Sequence, residues 1–344
     1  MNVASLISSL LYGYRAGTLL PRKLKNRRGL ITVTGTAAIL TKWEGGIGGV
    51  DRVLVTMVEA IVRHGFKVDV LTEARLPASH YSVVEGPSVR VNVVGESTSL
   101  VDLDQYDFVY VFPYTSDELW SKQLRRTRAL TIGLGGLPYT ALPSYARFDV
   151  VHFESPSSRR SVLGAVLAPH DGRLGAQWRE GLPPPPVSGE YILSVFNPWG
   201  PVKGLDDMLA FVEGCPLPTV WCYNATAMIH QNLSDSRDAI ERAENHKNVI
   251  PARNLPLAQI YSFYQGCSGY ASFSKSESFG WSVADAISFN KPICARKTGV
   301  LSYFPAFQPT QDFSRPVFSR VEVDSDAFFS QNIVQGLFER ASWL

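Results

Sequence analysis

Apolar positions recur along this chain with more than one period, and the changes of period mark the elements. Val50, Val53, Leu54, Met57, Val58, Ile61 and Val62 share one face at 3.6-residue spacing, which predicts a helix that Gly65 stops. Apolar runs flank it. Leu30 to Thr34 predicts a buried first strand, and Lys67 to Thr72 the next one, with a glycine-rich loop, Gly45-Gly46-Ile47-Gly48-Gly49, before the helix. Further strands are expected near 89–94, 107–112, 129–132 and 149–153. A strand, a glycine loop, a helix and a strand in that order predict a parallel, doubly wound sheet.

The pattern breaks at Gly181-Leu182-Pro183-Pro184-Pro185-Pro186, where four consecutive prolines exclude helix and central strand and predict a stiff extended connector. A second alternation follows. Strands are expected at 191–196, 219–223, 269–273 and 292–295, with helices near 204–213, 234–245, 256–265 and 281–289. Phe329, Ile333, Leu337 and Ala341 place a last helix at 323–344. The expected fold class is α/β, with two Rossmann-like domains, 29–180 and 190–322, joined by a hinge at 181–189 and facing each other across a cleft. Ligands prefer such strand-end crevices.

Composition changes little in this picture. A 45% hydrophobic and 19% charged chain of 344 residues is an ordinary globular one, long enough for two cores. Four scattered cysteines and six dispersed histidines show no metal-ligand spacing, so neither a structural metal nor a cofactor is expected, and a reducing, cytoplasmic setting is.

Charge changes it more. Arg15, Arg22, Lys23, Lys25, Arg27 and Arg28 fall in the first 30 residues, which hold no acid; the rest carries 27 basic against 31 acidic residues, a net of about −4. Val3 to Leu20 is largely apolar, but Gly13, Arg15 and Gly17 make it a poor membrane span, and it lacks the layout of a signal peptide. Segment 1–28 reads either as an apolar helix and basic cluster lying on an anionic membrane surface, or as a helix packed on the domain with a solvated basic loop. Nucleic acid is a weaker partner for that cluster, because no aromatics are interleaved with it.

The most informative chemistry lies in Ser272 to Val300. Glu277 is followed by Ser278-Phe279-Gly280 and, after seven intervening residues, by Asp285. Val283, Ala284 and Ile287 have helical spacing, so Glu277 is expected in the loop before a helix and Asp285 about one turn inside it. Free backbone N–H groups and the positive end of the helix dipole then suit a phosphate flanked by hydroxyl-binding carboxylates. A nucleoside-diphosphate sugar has that chemistry.

This stretch resembles the donor-site signature of the retaining glycosyltransferases of family 4, which have the GT-B fold. That signature is a glutamate, seven residues and a second glutamate, with Phe-Gly after the first acid. The resemblance implies that Glu277 and the N–H groups of Ser278, Phe279 and Gly280 hold the donor sugar and phosphate, and that Asp285, one methylene shorter than the usual glutamate, holds the ribose. It implies that Lys203, in Lys203-Gly204 after the strand 191–196, neutralises the diphosphate. The glycines Gly46, Gly48 and Gly49 would lie near the donor phosphates, although a plain strand-to-helix turn accounts for them too. Arg253 falls where relatives meet the nucleotide base and reads equally as a surface arginine. Two departures stand out. Pro198 occupies the position of the family's arginine, and the first domain shows no histidine at the expected strand ends; His152 lies inside a strand pattern.

The expected activity is transfer of a sugar from a nucleoside-diphosphate sugar to a hydroxyl of a glycan, lipid or small molecule, with Glu277 and Lys203 as the catalytic pair. Two alternatives are a non-catalytic GT-B-like subunit that binds a partner, and a glycosyltransferase acting on a nucleic-acid base.

Overall fold

A computed structural model describes residues 35–43, 45–46, 49–74, 81–95, 101–112, 117–135, 148–158, 165–167, 181–198, 201–225 and 234–322. They fall into two compact units, one holding the described residues up to 167 and the other those from 181 to 322.

The first unit is built on strands β1 (Thr36–Trp43), β3 (Lys67–Ala74), β5 (Val89–Val93), β6 (Phe108–Val111), β7 (Leu130–Gly135), β8 (Val150–Phe153) and β9 (Ala165–Leu167). They form a parallel sheet in the order β5-β3-β1-β6-β7-β8-β9, so the strand order reverses between β1 and β6. Helix α1 (Gly49–Arg63) ends at Gly65, whose φ of +95° only glycine adopts freely. Its apolar stripe, Val53, Leu54, Met57 and Ile61, is buried. Helix α2 (Asp117–Arg126) links β6 to β7. Two short strands, β2 (Gly45–Gly46) and β4 (Tyr81–Ser82), pair antiparallel beside the main sheet.

The expected strand 30–34 lies outside the described residues. The first described strand, β1, occupies a stretch that reads as loop, and its composition explains why. Ala37, Ala38, Ile39 and Leu40 are all fully buried, so the run shows no alternation, and alanine carries little strand propensity. Helix α2 escapes the pattern for a related reason. Trp120 and Leu124 are buried, and only three apolar residues interrupt the polar DELWSKQLRR segment.

The second unit alternates β10 (Ile192–Val195), α3 (Leu205–Gly214), β11 (Thr219–Tyr223), α4 (Ser234–Glu244), β12 (Val249–Arg253), α5 (Leu257–Gly266), β13 (Gly269–Ser272), α6 (Trp281–Ser288) and β14 (Ile293–Ala295). Its parallel sheet has the order β12-β11-β10-β13-β14, with the reversal between β10 and β13. Met208, Phe211, Trp221, Ala271 and Phe273 centre its core. Strand β12 is not among the strands that the pattern predicts. Pro251 argues against a central strand, yet β12 is an edge strand, where a proline costs little. The proline stretch lies against this unit, since a Cβ on Gly266 would sit 2.7 Å from both Pro185 Cγ and the Tyr191 hydroxyl oxygen. The expected C-terminal helix, 323–344, lies outside the described residues.

Candidate functional site

Strands β10 and β13 are parallel neighbours, so the loops that leave their carboxyl ends emerge side by side at the reversal of strand order. The first loop passes a short 3-10 turn, Pro201–Lys203, and enters α3 through Gly204 at φ +67°. The second runs from Phe273 to Gly280, which opens α6 at φ +82° with no side-chain cap. The two are pinned together. The Lys275 N–H donates to Val202 O at 2.8 Å, and a Cβ on Gly204 would come within 2.2 Å of Phe273 O.

The turn after β14 closes the third side. Gly299 has φ +56°, and a Cβ there would lie 2.3 Å from Phe279 O and 3.0 Å from Glu277 Cβ. The Val300 N–H donates to Phe279 O. These contacts bring together two residues 74 positions apart in sequence: Lys203 Nζ lies 2.6 Å from Glu277 Oε1, with the side chains 24% and 20% exposed.

The surroundings fix that pair. Arg296, unmarked in the sequence, braces the Glu277 loop from below: Nη1 donates to Phe273 O at 2.9 Å, Nη2 lies 3.1 Å from Asp207 Oδ2, and the guanidinium stacks 4.8 Å from the Phe313 ring centre. Tyr270 of β13 is buried, which pushes its hydroxyl pKa up, and the Glu277 charge adds to that rise. Tyr264 of α5 donates to Ser282 O at 2.7 Å; burial raises its pKa first, with smaller contributions from Tyr270 and Asp285.

The other expected site residues divide. Ser278 and Gly280 share the Glu277 loop, while the Phe279 ring is buried edge-on against Trp281 and its carbonyl accepts from the Val300 N–H. Asp285 is buried on α6, close to Tyr264. Arg253 ends β12, where its guanidinium pairs with Glu244 at 2.7 Å and with the Tyr223 hydroxyl. Pro198 is buried at the start of the Lys203 loop. Gly46, in β2, and Gly49, at the first position of α1, belong to the first unit; Gly48 lies outside the described residues. His152 lies within β8, fully buried and hydrogen-bonded to the Tyr110 hydroxyl at 2.6 Å.

Asparagines stitch the strand ends beside the site. Asn197 Oδ1 accepts from the Asn224 N–H, and Asn254, at φ +53°, accepts from the Ala225 N–H. Asn197 and Asn224 directly follow the strands predicted at 191–196 and 219–223, a turn-forming signal readable in the sequence. Among the described residues, no group of three or more His, Cys, Asp or Glu side chains is placed to hold a metal ion, and no helix is long and apolar enough to cross a membrane.

No protein-family model matches the sequence, and no curated protein matches it at a significant level. Solved structures match over nearly the whole chain. Sucrose-phosphate synthase from Thermosynechococcus elongatus aligns with TM-score 0.62 at 15% identity, over 90% of this chain and 94% of its own. HepE of Anabaena in complex with UDP and glucose gives 0.56 at 15%, over 90% and 93%. The E. coli trehalose-6-phosphate synthase structure bound with UDP-2-fluoro glucose gives 0.61 at 10%, over 89% and 94%. All three are glycosyltransferases of one architecture, two doubly wound parallel sheets in one chain. The fold is GT-B. In this GT-B chain the strand-end loops of the second unit carry Lys203 and Glu277, the residues that the sequence signature singles out.

Proposed function

We propose that this GT-B protein is a retaining glycosyltransferase that moves a hexose from a nucleoside-diphosphate sugar to a hydroxyl of a glycan, lipid or small molecule. The observation that carries the proposal is the 2.6 Å approach of Lys203 Nζ to Glu277 Oε1 at the reversal point of the second sheet, beside the N-terminus of α6. A fixed cation and a helix start supply the positive field that a diphosphate needs, and a carboxylate beside them accepts hydrogen bonds from sugar hydroxyls. The protein in complex with UDP and glucose, HepE, and the one bound with UDP-2-fluoro glucose make uridine donors the first to test.

In this mechanism the bond between the anomeric carbon and the leaving phosphate oxygen breaks while the acceptor oxygen bonds the same carbon on the same face. The acceptor proton passes to the leaving phosphate oxygen. Lys203 stabilises the charge that accumulates on the diphosphate, Glu277 orients the sugar, the N–H groups of the 278–280 loop hold phosphate, and Asp285 takes the ribose hydroxyls. Segment 1–28 is proposed to bring the protein to an anionic membrane surface.

The test is turnover of UDP-, GDP- and ADP-glucose by the wild type and Lys203→Ala, followed by nucleotide release. Lys203→Ala lowers kcat by about a hundredfold, close to 3 kcal/mol, and changes the donor KM much less, because diphosphate charge grows toward the transition state. Wild-type kcat in that variant overturns the assignment. A wild type that binds donors without turning them over makes this a non-catalytic GT-B subunit.

A further inference from the structure

We infer that Glu277 is an internal occupant of the diphosphate-binding cation, and that it makes the site accept an intact nucleotide sugar while rejecting the nucleoside diphosphate left after transfer. This inference rests on the donor-site reading and adds a specificity role to it.

Three observations lead here. First, Lys203 and Glu277 form a short ion pair with about three-quarters or more of each side chain withdrawn from solvent. Second, the backbone on both sides is tied by hydrogen bonds, from the Lys275 N–H to Val202 O and from the Val300 N–H to Phe279 O, and is closely packed at Gly204 and Gly299. The pair therefore separates by side-chain rotation, not by loop movement. Third, the neighbouring cation Arg296 is committed to Asp207 and Phe273 O, so it does not substitute for Lys203.

A diphosphate entering this site must take Lys203 from Glu277. A part-buried carboxylate deprived of its partner is costly unless other donors replace it. The hydroxyls of a donor sugar are such donors, and a free nucleoside diphosphate brings none to that position. The intact donor thus satisfies both ends of the opened pair, while the product satisfies Lys203 alone. Once the sugar has left, Glu277 recaptures the lysine and favours product release.

The experiment is a double-mutant cycle read by titration calorimetry. Wild type, Glu277→Gln, Lys203→Met and the double variant are titrated with UDP, GDP and ADP, and with the glucose conjugate of whichever binds. Glutamine keeps the shape of glutamate and removes its charge, and the melting temperature of each variant checks that it is folded. Glu277→Gln tightens the free nucleoside diphosphate roughly tenfold, the scale of one partly screened unit charge, and does not tighten the sugar conjugate to the same degree. Lys203→Met weakens both ligands, and in its background Glu277→Gln changes diphosphate affinity less than about twofold, because there is no longer a pair to open. Unchanged or weaker diphosphate binding by Glu277→Gln overturns the inference. So does equal tightening with and without Lys203, which reduces the effect to plain repulsion between like charges. A wild type that binds none of the three diphosphates instead overturns the donor-site reading, and this inference with it.

Discussion

At the scale of single residues, the candidate site is shaped by glycines at least as much as by charges. Gly204, Gly280 and Gly299 all have left-handed backbone angles, but their surroundings differ. A Cβ on Gly204 meets a backbone carbonyl at 2.2 Å, whereas one on Gly280 meets nothing nearer than 3.6 Å. Gly280→Ala therefore bears only the conformational cost, about 1 kcal/mol, while Gly204→Ala adds a clash that forces the Lys203 and Glu277 loops apart and costs roughly 2–4 kcal/mol. Urea denaturation of the two variants checks this, and equal losses would show that the close approach of the loops is not needed. Lys203 and Glu277, which the structure pairs, stand out in the sequence because their signals are local, a Lys-Gly after a strand and an acid before Phe-Gly and a helix. Arg296 does not. Its role comes from partners at 207, 273 and 313, and nothing near it in sequence announces them.

At the scale of elements, amphipathic helices and glycine stops were readable, and fully buried or very polar elements were not. α1 announces itself through a wide apolar stripe, whereas β1 is buried on both faces and the α2 segment is mostly polar. A polar device with no periodicity adds to the packing where α2 leads into β7. Asp104, in a 3-10 turn before β6, accepts from the Arg128 N–H at 2.6 Å, from the Thr127 hydroxyl at 2.8 Å and from Arg128 Nε at 3.2 Å. The backbone hydrogen bond from Arg128, first among these, holds the Asp104 carboxyl below its usual range. A carboxylate with a depressed folded pKa stabilises the fold fully above its unfolded pKa, near ~3.9, and that contribution fades as pH falls through the lower folded value. Asp104→Asn is therefore expected to lower stability at neutral pH by about 1 kcal/mol, a modest figure because the side chain is partly exposed. The difference from wild type shrinks as pH falls toward about 3. Thermal melts of both proteins across that range test it; a gap that stays constant with pH would assign the loss to shape, not charge.

At the scale of the whole molecule, both doubly wound units were legible, because each repeats the strand–helix alternation on its own side of the proline stretch. What the sequence adds at this scale is an uneven charge. Six basic residues and no acid occupy the first 30 positions, against a net of about −4 over the remainder. That segment lies outside the described residues, and its composition alone bears on a membrane contact. A basic residue near an anionic bilayer contributes about 1 kcal/mol, and the apolar run from Val3 to Leu20 adds a surface to bury at the interface. The acidic remainder is repelled by the same membrane, so removing residues 1–28 takes away the attraction and leaves the repulsion. The deletion is expected to abolish co-sedimentation with phosphatidylserine vesicles at low salt and to leave nucleotide binding intact, since Lys203 and Glu277 lie in the unit of residues 181–322. Raising salt should release the full-length chain gradually, as screening shortens the reach of its basic cluster. Equal vesicle binding by the truncated and full-length proteins would place the membrane contact elsewhere, or nowhere, and would recast the basic segment as a solvated loop.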